Sequence, residues 1–150
     1  MKRFAAYFIL IALIAVACGG KKSAVEVFVT PEGAINGYDP VSYFKVNMAV
    51  KGDGHYSYEW KDATWHFVSE ENLSLFKADP EKYAPQFGGY CAYGMSQGHK
   101  APTEPDAWTI VEDKLYFNYN KDVQKKWQEN RDELIKQAET NWPKIRMDPF

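Results

Sequence analysis

The chain is short of cysteine, with two in 150 residues. Their placement argues against an internal disulfide. Cys18 ends an apolar N-terminal run and is expected to be consumed by processing, which leaves Cys91 without a partner. Export into an oxidising compartment would otherwise pair an even number of cysteines. No uninterrupted membrane-spanning stretch appears, because Phe4 to Ala17 falls short of the roughly 20 residues that a spanning helix needs. No strong charge of one sign is present either. The formal net charge is −2, and loss of Lys2 and Arg3 would make it more negative. Without a basic stripe, nucleic acid is not expected as a partner. Internal repeats and low-complexity segments are missing. So are a Gly-x-Ser-x-Gly elbow, a metalloprotease helix and a phosphate loop, and an enzyme is not expected.

Lys2 and Arg3 followed by an apolar run have the layout of a signal peptide. Ala15-Val16-Ala17-Cys18 resembles the site at which lipoprotein precursors are cut and acylated, with Ala15 where leucine is usual. The expected organisation is a signal peptide over 1–17, a lipidated tether over 18–26, and one domain over 27–150 ending in a helical extension. Two or three acyl chains on Cys18 would hold the protein firmly, since one chain alone binds only marginally. The expected location is a bacterial cell envelope, lipid-anchored to a membrane and facing its extracytoplasmic side.

What the chain has in abundance is aromatic surface: 16% of residues, including five tryptophans and ten tyrosines. Tyr56, Tyr58 and Trp60 alternate with His55, Ser57 and Glu59, and Trp65 and Phe67 share a face opposite His66. The period of two predicts a hairpin turning at Lys61-Asp62-Ala63. A second hairpin is predicted at Trp108–Val111 and Leu115–Tyr119, turning at Glu112-Asp113-Lys114. Ser69, followed by Glu70 and Glu71, predicts a helix start. Asp79-Pro80 predicts another, ended by Pro85. Asn120 is positioned to cap a long C-terminal helix, with a break near Asn130 and closure at Trp142-Pro143. The expected fold is a small single α+β domain, with two β-hairpins forming an antiparallel sheet packed against helices.

Trp65-His66-Phe67-Val68-Ser69-Glu70-Glu71-Asn72, then Phe76 and Asp79-Pro80-Glu81-Lys82-Tyr83, resemble the YHS domain. Asp39-Pro40-Val41 resembles that domain's opening, and the likeness covers about Tyr38 to Tyr83. The segment Gly88-Gly89-Tyr90-Cys91-Ala92, Ala107 to Val111 and Asn141 to Lys144 resemble a subfamily of exported YHS-domain lipoproteins. The resemblance implies a heavy-metal association carried by cysteines. At the positions matching those cysteines this chain has Ser42, Val68 and either Asn72 or Leu73. A closed zinc site needs about four ligands, and none of the matched positions supplies a thiol.

Any sulfur chemistry therefore passes through Cys91. Cys91, Met95 and His99 follow one another at intervals of four, a soft donor set suited to copper. Gly88, Gly89, Gly94 and Gly98 argue against a regular helix there. His66 is a further candidate ligand, and His55 lies in the same hairpin. Cys91 can equally be a small buried residue or a reactive thiol, which would need a lowered pKa and an adjacent base. Tyr38, Tyr43, Tyr90, Tyr93 and Trp108 are candidates to ring a ligand pocket floored by the glycines; the alternative is a packed core. The expected function is binding of a small ligand, with a transition metal such as copper preferred. The alternatives are a non-metal binding or interaction module with a structural Cys91, and a thiol redox protein.

Overall fold

Two short turns set both hairpins. In the computed structural model, which describes residues 26–150, Lys61 and Asp62 have φ of 51° and 55°, and Glu112 and Asp113 have 49° and 58°. Paired positive φ values match the twist of flanking strands and favour a two-residue connection. β3 (Asp53–Trp60) accordingly pairs antiparallel with β4 (Ala63–Phe67), Trp60 opposite Ala63. β5 (Trp108–Val111) pairs with β6 (Lys114–Phe117), Val111 opposite Lys114. Both turns are one residue tighter than the sequence suggests. A third, minimal pair is formed by β1 (Val29–Thr30) and β2 (Gly33–Ala34). The α+β class and both hairpins are present, and the hairpins remain separate two-stranded sheets. The expected signal peptide, Cys18 and all of the expected tether but Glu26 lie outside the described residues.

Six helices fill the intervals. Ser69 Oγ accepts the Asn72 N–H at 3.2 Å and starts α2 (Glu70–Ala78). Asp79 and Pro80 start α3 (Pro80–Tyr83), and Asn120 Oδ1 accepts the Val123 N–H at 2.9 Å to start α5 (Lys121–Glu129). The expected break falls at Asn130, whose φ of −139° interrupts the helix before α6 (Arg131–Ile145). Closure at Trp142-Pro143 is not observed, because α6 runs through Pro143. Proline removes its own helical N–H bond, but Arg146 N–H still reaches Trp142 O at 2.9 Å. Two short helices went unread in the sequence: α1 (Pro40–Lys45) and α4 (Ala92–Ser96).

The aromatics build two adjoining cores. In the first, Phe76 of α2 is fully buried and meets Trp65 at 5.1 Å, Phe67 at 5.2 Å and Trp60 at 5.6 Å between ring centroids. This clasp joins α2 to the β3–β4 hairpin, and aromatic pairs at such distances add stability beyond their buried area. The second core gathers Phe28, Phe87, Tyr90, Met95, Tyr116 and Trp127 beneath α5 and α6. No helix among the described residues is long and apolar enough to cross a membrane.

Asp39 is fully buried and holds the first core's open end. Its Oδ1 caps α1 by accepting the N–H groups of Val41 at 2.8 Å and Ser42 at 3.3 Å. Its Oδ2 accepts the Val68 N–H at 2.9 Å and the Asn72 Nδ2–H at 2.7 Å. Buried donors left unpartnered are costly, more so those bonded to charge. Asp39→Ala should therefore destabilise the domain by about 3–5 kcal/mol, measured by urea unfolding. A loss below about 1 kcal/mol would show that the cluster is not structural.

Candidate functional site

Cys91 sits at the N-cap of α4, where its backbone N–H donates to Ala101 O at 3.0 Å. Its Sγ accepts the Gly94 N–H at 3.4 Å and donates to Asn118 Oδ1 at 3.7 Å. Asn118 Oδ1 also accepts the Tyr93 N–H at 3.3 Å, tying β6 to the helix start. The thiol is only 2% exposed. Burial pushes its pKa up, and this outweighs the opposite effect of the surrounding backbone N–H groups. A protonated, enclosed thiol is a poor nucleophile and a poor ligand.

The companions of Cys91 divide. Met95 is fully buried in the second core. His99 is exposed, but its loop folds back over α4: a Cβ on Gly94 would lie 3.3 Å from His99 Nε2 and 3.3 Å from Ala101 Cβ. Gly94 is what lets the loop approach, while its N–H serves the sulfur. His66 belongs elsewhere, on β4 against Gly33 and Gly52. His55 is exposed and pairs with Asp53 at 2.7 Å.

The five aromatics fall in two cores, Tyr38, Tyr43 and Trp108 in the first and Tyr90 and Tyr93 in the second. Tyr43 is buried against Trp108 and Phe117, each at 5.2 Å, and its hydroxyl donates to Pro105 O at 2.9 Å. Tyr38 lies beneath the Lys51 ammonium at 5.2 Å. Tyr90 packs in the other core on Phe28 at 5.7 Å and Phe150 at 5.2 Å, and Tyr93 faces Lys126 at 4.9 Å.

A cleft of about 110 Å³ opens instead between the β3–β4 turn, α3, the segment Gln86–Gly89 and α6. Trp60, Trp65, Phe87 and Trp142 supply its aromatic surface, and Glu26, Lys61 and Glu81 its charge. Gly88 makes it possible. With φ of 63°, a Cβ there would fall 1.9 Å from Glu26 O and 3.3 Å from Trp142 Cη2. Lys61 Nζ lies 3.2 Å from Glu26 Oε1, 3.0 Å from Glu81 Oε1 and 4.5 Å from the Trp60 ring centroid. Burial lowers the Lys61 pKa, but the two carboxylates outweigh it and hold the value above that of a free lysine. Sequence reasoning missed this cleft. Its three charged residues come from three separated stretches, and Lys61 reads simply as a turn residue.

Residues 41–87 match the YHS domain family, so the chain contains a YHS domain running from α1 to the turn at Gln86–Gly89. No curated protein matches the chain, and no solved structure does. The metal association implied by that domain type can be tested on the donors present. Of the positions matched in the sequence to the metal-associated cysteines, Ser42, Val68 and either Asn72 or Leu73, the first two converge in space with Asn72. They meet around Asp39, where Asn72 Nδ2 also reaches Ser42 Oγ at 3.4 Å. That cluster offers one carboxylate whose lone pairs are already engaged. Among the described residues no group of three or more His, Cys, Asp or Glu could hold a metal ion. The donor set does not fit a thiolate metal centre.

Native alkylation checks the state of Cys91. Iodoacetamide should modify it at least about a hundredfold more slowly than a free thiol, with full labelling in urea. Rapid labelling in the native state would restore the redox reading.

Proposed function

We propose that the protein is a small-ligand-binding module of the bacterial cell envelope, held to a membrane by lipid on Cys18. It is built on a YHS domain, has a structural Cys91, and uses the tryptophan-walled cleft as its binding site. The observation that carries this reading is the construction of the cleft. Trp60, Lys61, Trp65 and Glu81 of the YHS domain meet Trp142 of α6 and Glu26, both outside it. Pockets that combine apolar walls with a few placed polar groups are the usual form of a small-molecule site.

The tether has its own test. Cys18→Ala should move the protein from the membrane fraction to the soluble fraction of cells, and unchanged membrane retention would remove the lipid anchor. The binding site is checked with the full chain in detergent, by following the indole N–H signals of Trp60 and Trp142 by NMR during titration with a fragment library. Ligands should shift these two signals, and Trp142→Leu, followed at the Trp60 signal, should weaken ligand binding about tenfold or more. Shifts confined to other parts of the domain would place the site elsewhere. Copper is the sharpest rival ligand, since the His99 ring rests on the same Gly94 whose N–H serves the Cys91 sulfur. Copper binding should be weak and equal in wild type and Cys91→Ser, and tight binding lost on that substitution would reinstate copper.

A further inference from the structure

The cleft already holds an ammonium group. Lys61 reaches it from the tip of the β3–β4 hairpin and is seated between two carboxylates and an indole face. Two carboxylates hold the Lys61 ammonium. Lys100 acts on Glu26 from further away while itself facing Asp148, so the carboxylates around the seat outnumber the lysines and leave an excess of negative charge. The aromatic walls add to it, because the π face of tryptophan is its negative surface and attracts cations. An anionic ligand would meet both carboxylates at close range. A neutral apolar ligand would gain contact with the indoles but leave that charge unanswered.

Lys61 is also an occupant that can leave. Its side chain is 33% exposed, and Glu81 beside it is 72% exposed. The lysine lies on a two-residue turn whose backbone is set by strand pairing, so its four-carbon stem can swing outward without disturbing the hairpin. Replacement of one ammonium by another keeps Glu26 and Glu81 paired throughout, which avoids stranding a partly buried charge. With Lys61 in place the opening is about 110 Å³, room for several waters or a ligand of similarly few atoms.

We propose that the cleft binds a small organic cation with an ammonium head, which displaces the Lys61 ammonium from its place between Glu26, Glu81 and the Trp60 ring. The proposal rests on the cleft being the protein's binding site and adds the ligand's chemical class. Lys61 then acts as a built-in competitor that weakens binding and selects for ligands able to replace it.

The test compares choline with the uncharged alcohol in which carbon replaces the quaternary nitrogen. Both are titrated into the full chain in detergent, with the Trp60 and Trp142 indole signals as readout. Choline should bind at least about tenfold more tightly than the alcohol. Lys61→Met should raise choline affinity by about tenfold more, and Glu81→Gln should lower it several-fold. Both substitutions are at partly or largely exposed side chains, and far-UV circular dichroism checks their folding. A gain of affinity on removing Lys61 is not what loss of a merely structural lysine would produce. Equal affinity for choline and the alcohol would overturn the cation while leaving the cleft as a binding site. Failure of choline to bind either wild type or Lys61→Met would also overturn the cation, and the fragment titration would then decide the cleft independently.

Discussion

The Asp39 carboxylate accepts hydrogen bonds from α1, from the end of β4 and from α2, three segments brought together from distant parts of the chain. Everything on that side of the domain depends on the arrangement. α1 is only six residues long, too short to persist without its cap and its packing. α2 is placed by Asn72 at its first turn and by Phe76 one turn later, so polar and aromatic contacts fix the same helix from two sides. A buried carboxylate is tolerable only when its lone pairs are filled, and here four N–H groups fill them. Lys45 extends the network outward, reaching Asn72 Oδ1 at 3.4 Å and Glu71 at 2.7 Å.

This cluster also bears on the domain's metal chemistry. Ser42, Val68 and Asn72 meet in space, as positions that share a site should. Their atoms, however, are a hydroxyl, a backbone N–H and an amide, which complete a hydrogen-bonded structure. Cys91 stands apart from this cluster, in the other half of the domain. Its sulfur bridges the start of α4 and Asn118, and burial favours the neutral thiol.

The proposed binding surface lies instead where the YHS domain meets the chain around it. Trp142 reaches the cleft from α6 because Gly88, at φ of 63°, has no side chain to obstruct the approach. Lys61 reaches it because two consecutive residues adopt positive φ. Each is a small local departure from regular backbone, and together they place three indoles and three charges around one opening.

Much of the secondary structure was legible along the chain. The alternation at Tyr56, Tyr58 and Trp60, the caps at Ser69, Asp79 and Asn120, and the break at Asn130 are local signals, expressed within a few residues of where they act. The YHS likeness read over about Tyr38 to Tyr83, and matched by the family at residues 41–87, belongs with them, since it too is carried by short motifs. The site was not legible in that way. Glu26, Lys61, Glu81 and Trp142 are far apart in sequence, and each alone reads as an ordinary surface residue. The five aromatics expected to ring a pocket were divided between two cores, because composition reports how much aromatic surface must be buried but not against what. The sequence by itself determined the class of elements and the caps that start three of the helices. Only the tertiary structure decided that the thiol is enclosed, that the aspartate before Pro40 is a hub, and that a turn lysine occupies a tryptophan cleft. The physical reason is that local backbone preference acts over a few residues, whereas burial and charge pairing depend on which distant segments meet.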